Sequence, residues 1–308
     1  HVQAAELIRH GMSATADGCD LHCQGQLRSG DYVLPGDISS QFVSALLLAL
    51  PLLPGDSTLT LTSAPESAPY IAMTEEVLAA AGISLYRTGS RYRIPGGQRY
   101  RLPSHLTVEG DWSSAAFFLC AGAMSREGIA VDGLSLPTRQ GDSALLPLLR
   151  QMGAEINLSS GCITVRKGRL RATDIDARPI PDLIPPLSVL AAAAEGGSHI
   201  QNARRLRYKE SDRLQGIAEL LNSLGGCLTV DGDGLLIHGV SHLQGGTVDP
   251  MGDHRLAMSA ALAALSADAP VTVRDADCVS KSYPAFWADF QSLKGEAPCP
   301  APSETPFV

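Results

Sequence analysis

The segment RRLRYKESDRL, Arg204 to Leu214, places five basic residues beside Glu210 and Asp212 just ahead of an apolar helical run. Cations at a helix start oppose the helix dipole unless an anion binds among them. The plainer reading is a solvated charge run. Lys209 and Arg213 are four apart and share a face if the segment is helical. Asp253-His254-Arg255 opens a second helical run and Lys281 a third, so cations recur at equivalent helix starts. Ser39-Ser40-Gln41, Ser113-Ser114, and Ser67 with Tyr70 stand before further runs, where backbone N–H groups attract phosphates. Capping accounts for single serines, but the Ser39–Gln41 trio offers more hydrogen-bonding groups than one cap uses. The chemistry these blocks suit is the holding of a phosphorylated, anionic small molecule.

Composition narrows the class. The chain has 308 residues, 44% hydrophobic and 18% charged, with 30 Gly and 20 Pro. That is a turn-rich α/β composition, and the length calls for two domains rather than one core. A net charge of -8 argues against nucleic-acid binding, which needs a basic face. The seven cysteines are scattered without a Cys-x-x-Cys pair, which suits a reducing cytoplasm. Cys19, His22 and Cys23 lie close together, but no second ligand pair follows, so no metal is expected. No apolar run approaches the ~20 residues of a membrane span, and the first residues lack a signal-peptide core.

The elements that must position these blocks are repeated. LPGDISSQFVSALLLA from Leu34, VEGDWSSAAFFLCAGA from Val108, IPDLIPPLSVLAAAA from Ile180 and MGDHRLAMSAALAAL from Met251 look alike. Their aspartates, Asp37, Asp111, Asp182 and Asp253, recur after 74, 71 and 71 residues. In each copy a strand reaches a capping residue and then a helix that is apolar nearly all round, which predicts burial on every side. A β-rich run, a second helix and a hairpin follow; the second helices end at Gly82, Gly153 and Gly225-Gly226, the residue type suited to a left-handed cap. The unit is therefore βαβαββ, with parallel buried helices walled by sheets. Residues from Val2 match the second helix and hairpin of a unit, so the chain is expected to begin inside a repeat and to lack an N-terminal part, since repeats do not bury their faces alone.

The blocks GDISSQF, SAPYI, EGDWSSA, IPD, RYKESDRL, GDHRLAM and CVSKSYP, in this order along almost the whole chain, closely resemble those of the 5-enolpyruvylshikimate-3-phosphate synthase family (3-phosphoshikimate 1-carboxyvinyltransferases). KESDR and DHR are specific; SSQ alone is weak. The resemblance implies an inside-out α/β barrel fold of enolpyruvyl transferase type, in which each domain holds three βαβαββ units. Residues 1–105 would then be the remainder of an N-terminal domain, 106–298 a complete three-unit C-terminal domain, and 299–308 a tail. Nothing matches the family's early lysine-serine-arginine and asparagine-glycine-threonine blocks, which contribute to both substrate sites, so activity of this chain by itself is doubtful.

By resemblance the chain transfers the enolpyruvyl group of phosphoenolpyruvate to the 5-hydroxyl of shikimate 3-phosphate, in chorismate and aromatic amino-acid biosynthesis. Ser39, Ser40, Gln41, Ser67, Tyr70, Asp182 and Lys209 would hold shikimate 3-phosphate. Arg213, Arg255 and Lys281 would hold phosphoenolpyruvate, where an Arg fork suits bidentate pairing. Asp182 and Glu210 would be the acid-base pair, Asp182 at the hydroxyl and Glu210 at the methylene carbon, or the reverse. No metal or organic cofactor is implied. Glyphosate is the expected inhibitor, in the phosphoenolpyruvate position; the complete protein is expected to be a cytoplasmic monomer. Arg205 stands where many relatives carry an asparagine, and His254 has a structural hydrogen bond as its ordinary reading. The rivals are the sister transferase acting on UDP-N-acetylglucosamine, against which KESDR and SSQ weigh, and a non-catalytic anion-binding remnant.

Overall fold

A computed structural model describes residues 2–17, 20–159, 161–293 and 305–307. Cys19, Cys299 and most of the tail lie outside the described residues. The chain divides into two compact units, residues 1–108 with 139–141, and 109–138 with 142–308.

In the first unit, helix α1 (Val2–Arg9) precedes an antiparallel hairpin, Met12–Asp17 with Asp20–Gly25. A complete βαβαββ repeat follows: Asp31–Leu34, α2 (Ser40–Ala49), Ser57–Leu61, α3 (Ala68–Ala80) and the hairpin Tyr86–Thr88 with Arg91–Ile94. The first two strands pair in parallel and the hairpin adds antiparallel, giving spatial order first, second, fourth, third. Alternation drives this sheet. Ser57, Leu59 and Leu61 turn inward with Tyr32, Leu34, Tyr92 and Ile94, against Val43, Leu46 and Leu47 of α2. The buried Glu6 accepts a hydrogen bond from the Val33 N–H at 3.0 Å, satisfying a donor that the edge strand would otherwise leave unpaired. Burial of α2 on every side is not what the structure shows. Four of its residues, Ser40, Val43, Leu46 and Leu47, are buried, and Leu48 is 43% exposed. One sheet and α3 cover only part of its surface.

The second unit carries α4 (Trp112–Met124), α5 (Leu145–Gln151), α6 (Ile184–Ala192), α7 (Arg213–Ser223), α8 (His254–Ala264) and α9 (Phe286–Ser292). Here the expectation holds: α4, α6 and α8 pack against one another, and every residue of α6 is buried. Gly122 lets α4 approach its sheet; a Cβ there would lie 2.6 Å from the Val165 carbonyl oxygen. The strands wall this helical centre. Ile175–Asp176, Gly197–Gln201, Gly234–His238 and Cys227–Asp231 repeat the order first, second, fourth, third. Ile129–Asp132, Cys162–Arg166 and Glu155–Ser159 form the same sheet without a first strand. The third sheet joins Gly246–Val248, Val271–Val273 and Thr305–Phe307. The glycine after the second helix is left-handed in three of the repeats, with φ of 75° at Gly82, 95° at Gly153 and 80° at Gly225.

Among the described residues no strand forms before Asp111; the Gly110 N–H donates to the Gly133 carbonyl at 2.8 Å. Pro103 lacks a donor, and Leu106 and Val108 are exposed, so no buried face pins the segment to a sheet. The four repeat aspartates also differ in use. Asp111 and Asp253 cap α4 and α8. Asp37 accepts from the Ser63 hydroxyl at 2.6 Å while Ser39 caps α2, and Asp182 lies in the 3-10 turn Pro181–Leu183 ahead of α6.

Candidate active site

Four segments that precede helices in the second unit bring charged groups together around one guanidinium. Arg213, the first residue of α7, is 1% exposed. Its Nε donates to Asp253 Oδ2 at 2.7 Å and its Nη1 to Asp182 Oδ1 at 2.8 Å. Its Nη2 donates to Glu210 Oε2 at 2.5 Å and to Asp253 Oδ1 at 3.2 Å. Leaving water costs an ion several kcal/mol unless its partners are well placed; three carboxylates supply them. Burial works to lower the Arg213 pKa, but Asp253, Asp182 and Glu210 outweigh it and leave it raised.

Asp182 collects the remaining cations. Lys209 Nζ lies 3.3 Å and Arg255 Nε 3.5 Å from its Oδ1, and Arg255 Nη1 reaches the Asp182 carbonyl at 3.4 Å. Burial alone would raise the Asp182 carboxyl, yet Arg255, Lys209 and Arg213 hold it well below the usual carboxylate range. Glu210 bridges Arg213 and Lys281, whose Nζ is 2.9 Å from Oε1. Its burial is likewise outweighed, first by the Lys281 hydrogen bond and then by Arg213, and its pKa falls to about 2. Both carboxylates are therefore ionised at neutral pH.

The structure thus gathers Asp182, Lys209, Glu210, Arg213, Arg255 and Lys281 into one ion-pair network. It does so with other local geometry than the spacing suggests. Lys209 and Arg213 do not share a helical face: Lys209 is extended after the 3-10 turn Arg204–Tyr208, and α7 starts at Arg213, capped by Asp212 through the Gln215 N–H at 3.2 Å. Lys281 closes the 3-10 turn Ala276–Lys281 rather than opening α9. Arg207 has the structural role of the plain reading, donating to Asp212 at 3.1 Å and to the Gly232 carbonyl at 2.7 Å. Arg205 lies half-buried on the same turn.

His254 is buried, and its Nδ1 has no hydrogen-bond partner among the described residues. Burial and then Arg255 lower its pKa, which leaves the ring neutral at pH 7. Asp253, 0% exposed, is marked in the sequence only by its place in the repeat; it also accepts from the Ser211 hydroxyl at 3.1 Å.

In the first unit, Ser39 caps α2 through the Gln41 N–H at 3.2 Å, Ser40 is buried in the first turn, and Gln41 is exposed. Ser67 stands before α3 in a left-handed conformation, φ 51°, and does not cap that helix with its side chain. Tyr70 is half-buried in the first turn of α3, and its carbonyl accepts from the Thr74 hydroxyl at 3.0 Å, which in turn meets Ser44 at 2.7 Å. Helices α2 and α3 of this unit are thereby joined through their middles. Among the described residues no group of three or more His, Cys, Asp or Glu is placed to hold a metal, and no helix is long and apolar enough to cross a membrane.

Comparison with known proteins gives a consistent set. The family model described as EPSP synthase (3-phosphoshikimate 1-carboxyvinyltransferase) matches residues 13–290. The 3-phosphoshikimate 1-carboxyvinyltransferase of Clostridium kluyveri is 43% identical over 279 residues, 90% of this chain and 65% of that protein. The enzyme of the same name from Methanocella arvoryzae is 42% identical over 275 residues, 89% of this chain and 64% of its own. This chain therefore spans just under two thirds of the length of these relatives. Among solved structures, the 2.37 Å EPSP synthase of Acinetobacter baumannii superposes with a TM-score of 0.76 at 28% identity, covering 94% of this chain and 69% of that one.

Proposed function

Since the chain belongs to the EPSP synthase family, we propose that it carries the transfer of the enolpyruvyl group of phosphoenolpyruvate to the 5-hydroxyl of shikimate 3-phosphate. The observation that carries the reading is the network around Arg213, in which two ionised carboxylates sit among four cations. Shikimate 3-phosphate is held by Ser39, Ser40, Gln41, Ser67, Tyr70, Asp182 and Lys209. Phosphoenolpyruvate is held by Arg213, Arg255 and Lys281. No organic cofactor takes part. The protein works in the cytoplasm and as a monomer, and glyphosate competes for the phosphoenolpyruvate cations.

In the reaction, Asp182 takes the proton of the 5-hydroxyl while that hydroxyl oxygen bonds to C2 of phosphoenolpyruvate and a protonated Glu210 gives a proton to C3. The tetrahedral adduct then returns a C3 proton to Glu210 as the C2–phosphate bond breaks, and the leaving phosphate takes the proton held by Asp182, which restores the double bond and releases inorganic phosphate. Cations around the developing charge contribute a few kcal/mol per well-placed donor. Glu210 lies between Arg213 and Lys281, the two cations an anion would also seek. An arriving carboxylate or phosphate displaces it from those cations, and a carboxylate that loses cationic partners beside a new anion binds protons more tightly. Substrate binding thus converts Glu210 from a fixed base into a proton carrier.

The test is incubation of the natural full-length protein with both substrates, reading phosphate release and the enol ether. Turnover that requires shikimate 3-phosphate and ignores UDP-N-acetylglucosamine is expected. Turnover only with the nucleotide sugar, or none with intact substrate binding, refutes the reading.

A further inference from the structure

Asp253 is the acid of the network that is sealed from solvent, and this chemistry leaves it unused. Its Oδ2 accepts from Arg213 Nε at 2.7 Å and from the Ser211 hydroxyl at 3.1 Å. Its Oδ1 accepts from Arg213 Nη2 at 3.2 Å and from the Arg255 N–H at 3.0 Å. A carboxylate offers about four acceptor positions, and the chain itself fills them, so Asp253 is no ligand for a substrate. It joins instead the two arginines read as phosphoenolpyruvate ligands. Arg213 opens α7, and Arg255 stands in the first turn of α8, which Asp253 caps. The guanidinium is taken side-on through Nε and Nη2, a pairing that fixes its plane as well as its position. Its other edge is thereby turned to Asp182 and Glu210.

We propose that Asp253 is the positioning residue of the phosphoenolpyruvate subsite: bonded to the Arg213 side chain and to the Arg255 N–H, it sets how the two arginines stand to each other. The inference rests on the reading of Arg213 and Arg255 as ligands of phosphoenolpyruvate. That molecule carries its carboxylate and its phosphate on one carbon, so its two anionic groups keep a nearly constant separation. Cations already held at a matching separation bind it without first having to be ordered. The sign of one effect separates position from charge. Neutralising Asp253 leaves the site one charge more positive, and Coulomb attraction alone then draws an anion more strongly. Loss of positioning has the opposite effect.

Two substitutions test this in the natural full-length protein. Asp253→Asn keeps a cap for α8, but its amide N–H groups face the donors of Arg213 or the Arg255 N–H, and the fork must turn. Asp253→Ser caps equally well and has no second oxygen for Arg213. Calorimetry reads the affinity of each substrate, and phosphate release reads KM and kcat. Both variants should raise the Kd and KM for phosphoenolpyruvate about ten- to a hundredfold, the worth of one charged hydrogen bond. Shikimate 3-phosphate affinity should stay nearly unchanged, because Asp182 keeps Lys209 and Arg255. Phosphoenolpyruvate bound as tightly as by the wild type, or more tightly, in a folded variant overturns the proposal. Equal losses for both substrates, the mark of a merely structural residue, overturn it too, as does failure of both variants to fold. Arg213→Met separates this inference from the reading beneath it. If that change leaves phosphoenolpyruvate affinity intact, the assignment of Arg213 fails and the proposal with it. If it weakens phosphoenolpyruvate while the Asp253 variants do not, the positioning alone fails.

Discussion

Replacing Arg213 by methionine removes the one buried guanidinium on which three carboxylates depend. Methionine fills much of the same volume, so the loss is electrostatic: Asp253, 0% exposed, Asp182 and Glu210 all lose a donor within 2.8 Å. Removing one partner of a buried ion pair costs about 3–5 kcal/mol. For a body of this size 1 kcal/mol moves Tm by roughly 2–4 °C, so scanning calorimetry at pH 7.5 should show a fall of roughly 6–20 °C. The sign of the pH dependence follows from Asp182 and Glu210, both held below the ordinary carboxylate range. Their stabilisation is complete above the unfolded values and is lost as pH falls through the folded ones. The variant has less of it to lose, because its stranded carboxylates take up protons earlier. The gap between the two proteins should therefore narrow from pH 7.5 to pH 3.5, and a second change, Asp253→Asn, should recover part of it at pH 7.5. A fall under about 1 kcal/mol, the scale of an exposed ion pair, or a gap that does not change with pH, refutes the keystone role.

In the natural full-length protein, Glu210→Gln should keep both substrates bound and slow turnover about a hundredfold or more, the usual contribution of a positioned acid or base. Calorimetry beside phosphate release reads it, and unchanged turnover removes Glu210 from the chemistry. Arg255→Ala should weaken phosphoenolpyruvate by about 1.5–3 kcal/mol, the value of a charged hydrogen bond, while leaving shikimate 3-phosphate affinity nearly intact; equal losses for both ligands refute that assignment. Gly122→Val should destabilise the chain by about 1–3 kcal/mol through overpacking, because the new Cβ meets the Val165 carbonyl oxygen at 2.6 Å; an unchanged melting curve contradicts the close approach.

What the sequence shows well is whatever rests on period. The 71-residue spacing of Asp111, Asp182 and Asp253 and the apolar runs after them mark helices that are in fact buried together, because a helix apolar on every side has nowhere else to go. α2 carries the same pattern, but its burial depends on neighbours that periodicity does not count, and Leu48 is left exposed. The strand before Asp111 fails for a related reason: Leu106 and Val108 are strand-forming residues without a covering face. Charge clusters show candidates but not their division of labour. Arg207 and Lys209 are two residues apart in one basic run, yet one ties a turn to Gly232 and the other meets Asp182.

The network also explains how a chain of net charge -8 can be built for anions. Lys209, Arg213, Arg255 and Lys281 are four cations facing three carboxylates, Asp182, Glu210 and Asp253. The paired acids make burying these cations tolerable, and the one cation in excess draws an anion. Asp253 is sealed against Arg213 and Asp182 is held by three cations, which leaves Glu210, bridging to the exposed Lys281, as the acid that an incoming anion displaces. The affinity of such a site for anions is therefore set less by its cations, which are already paired, than by how readily Glu210 yields.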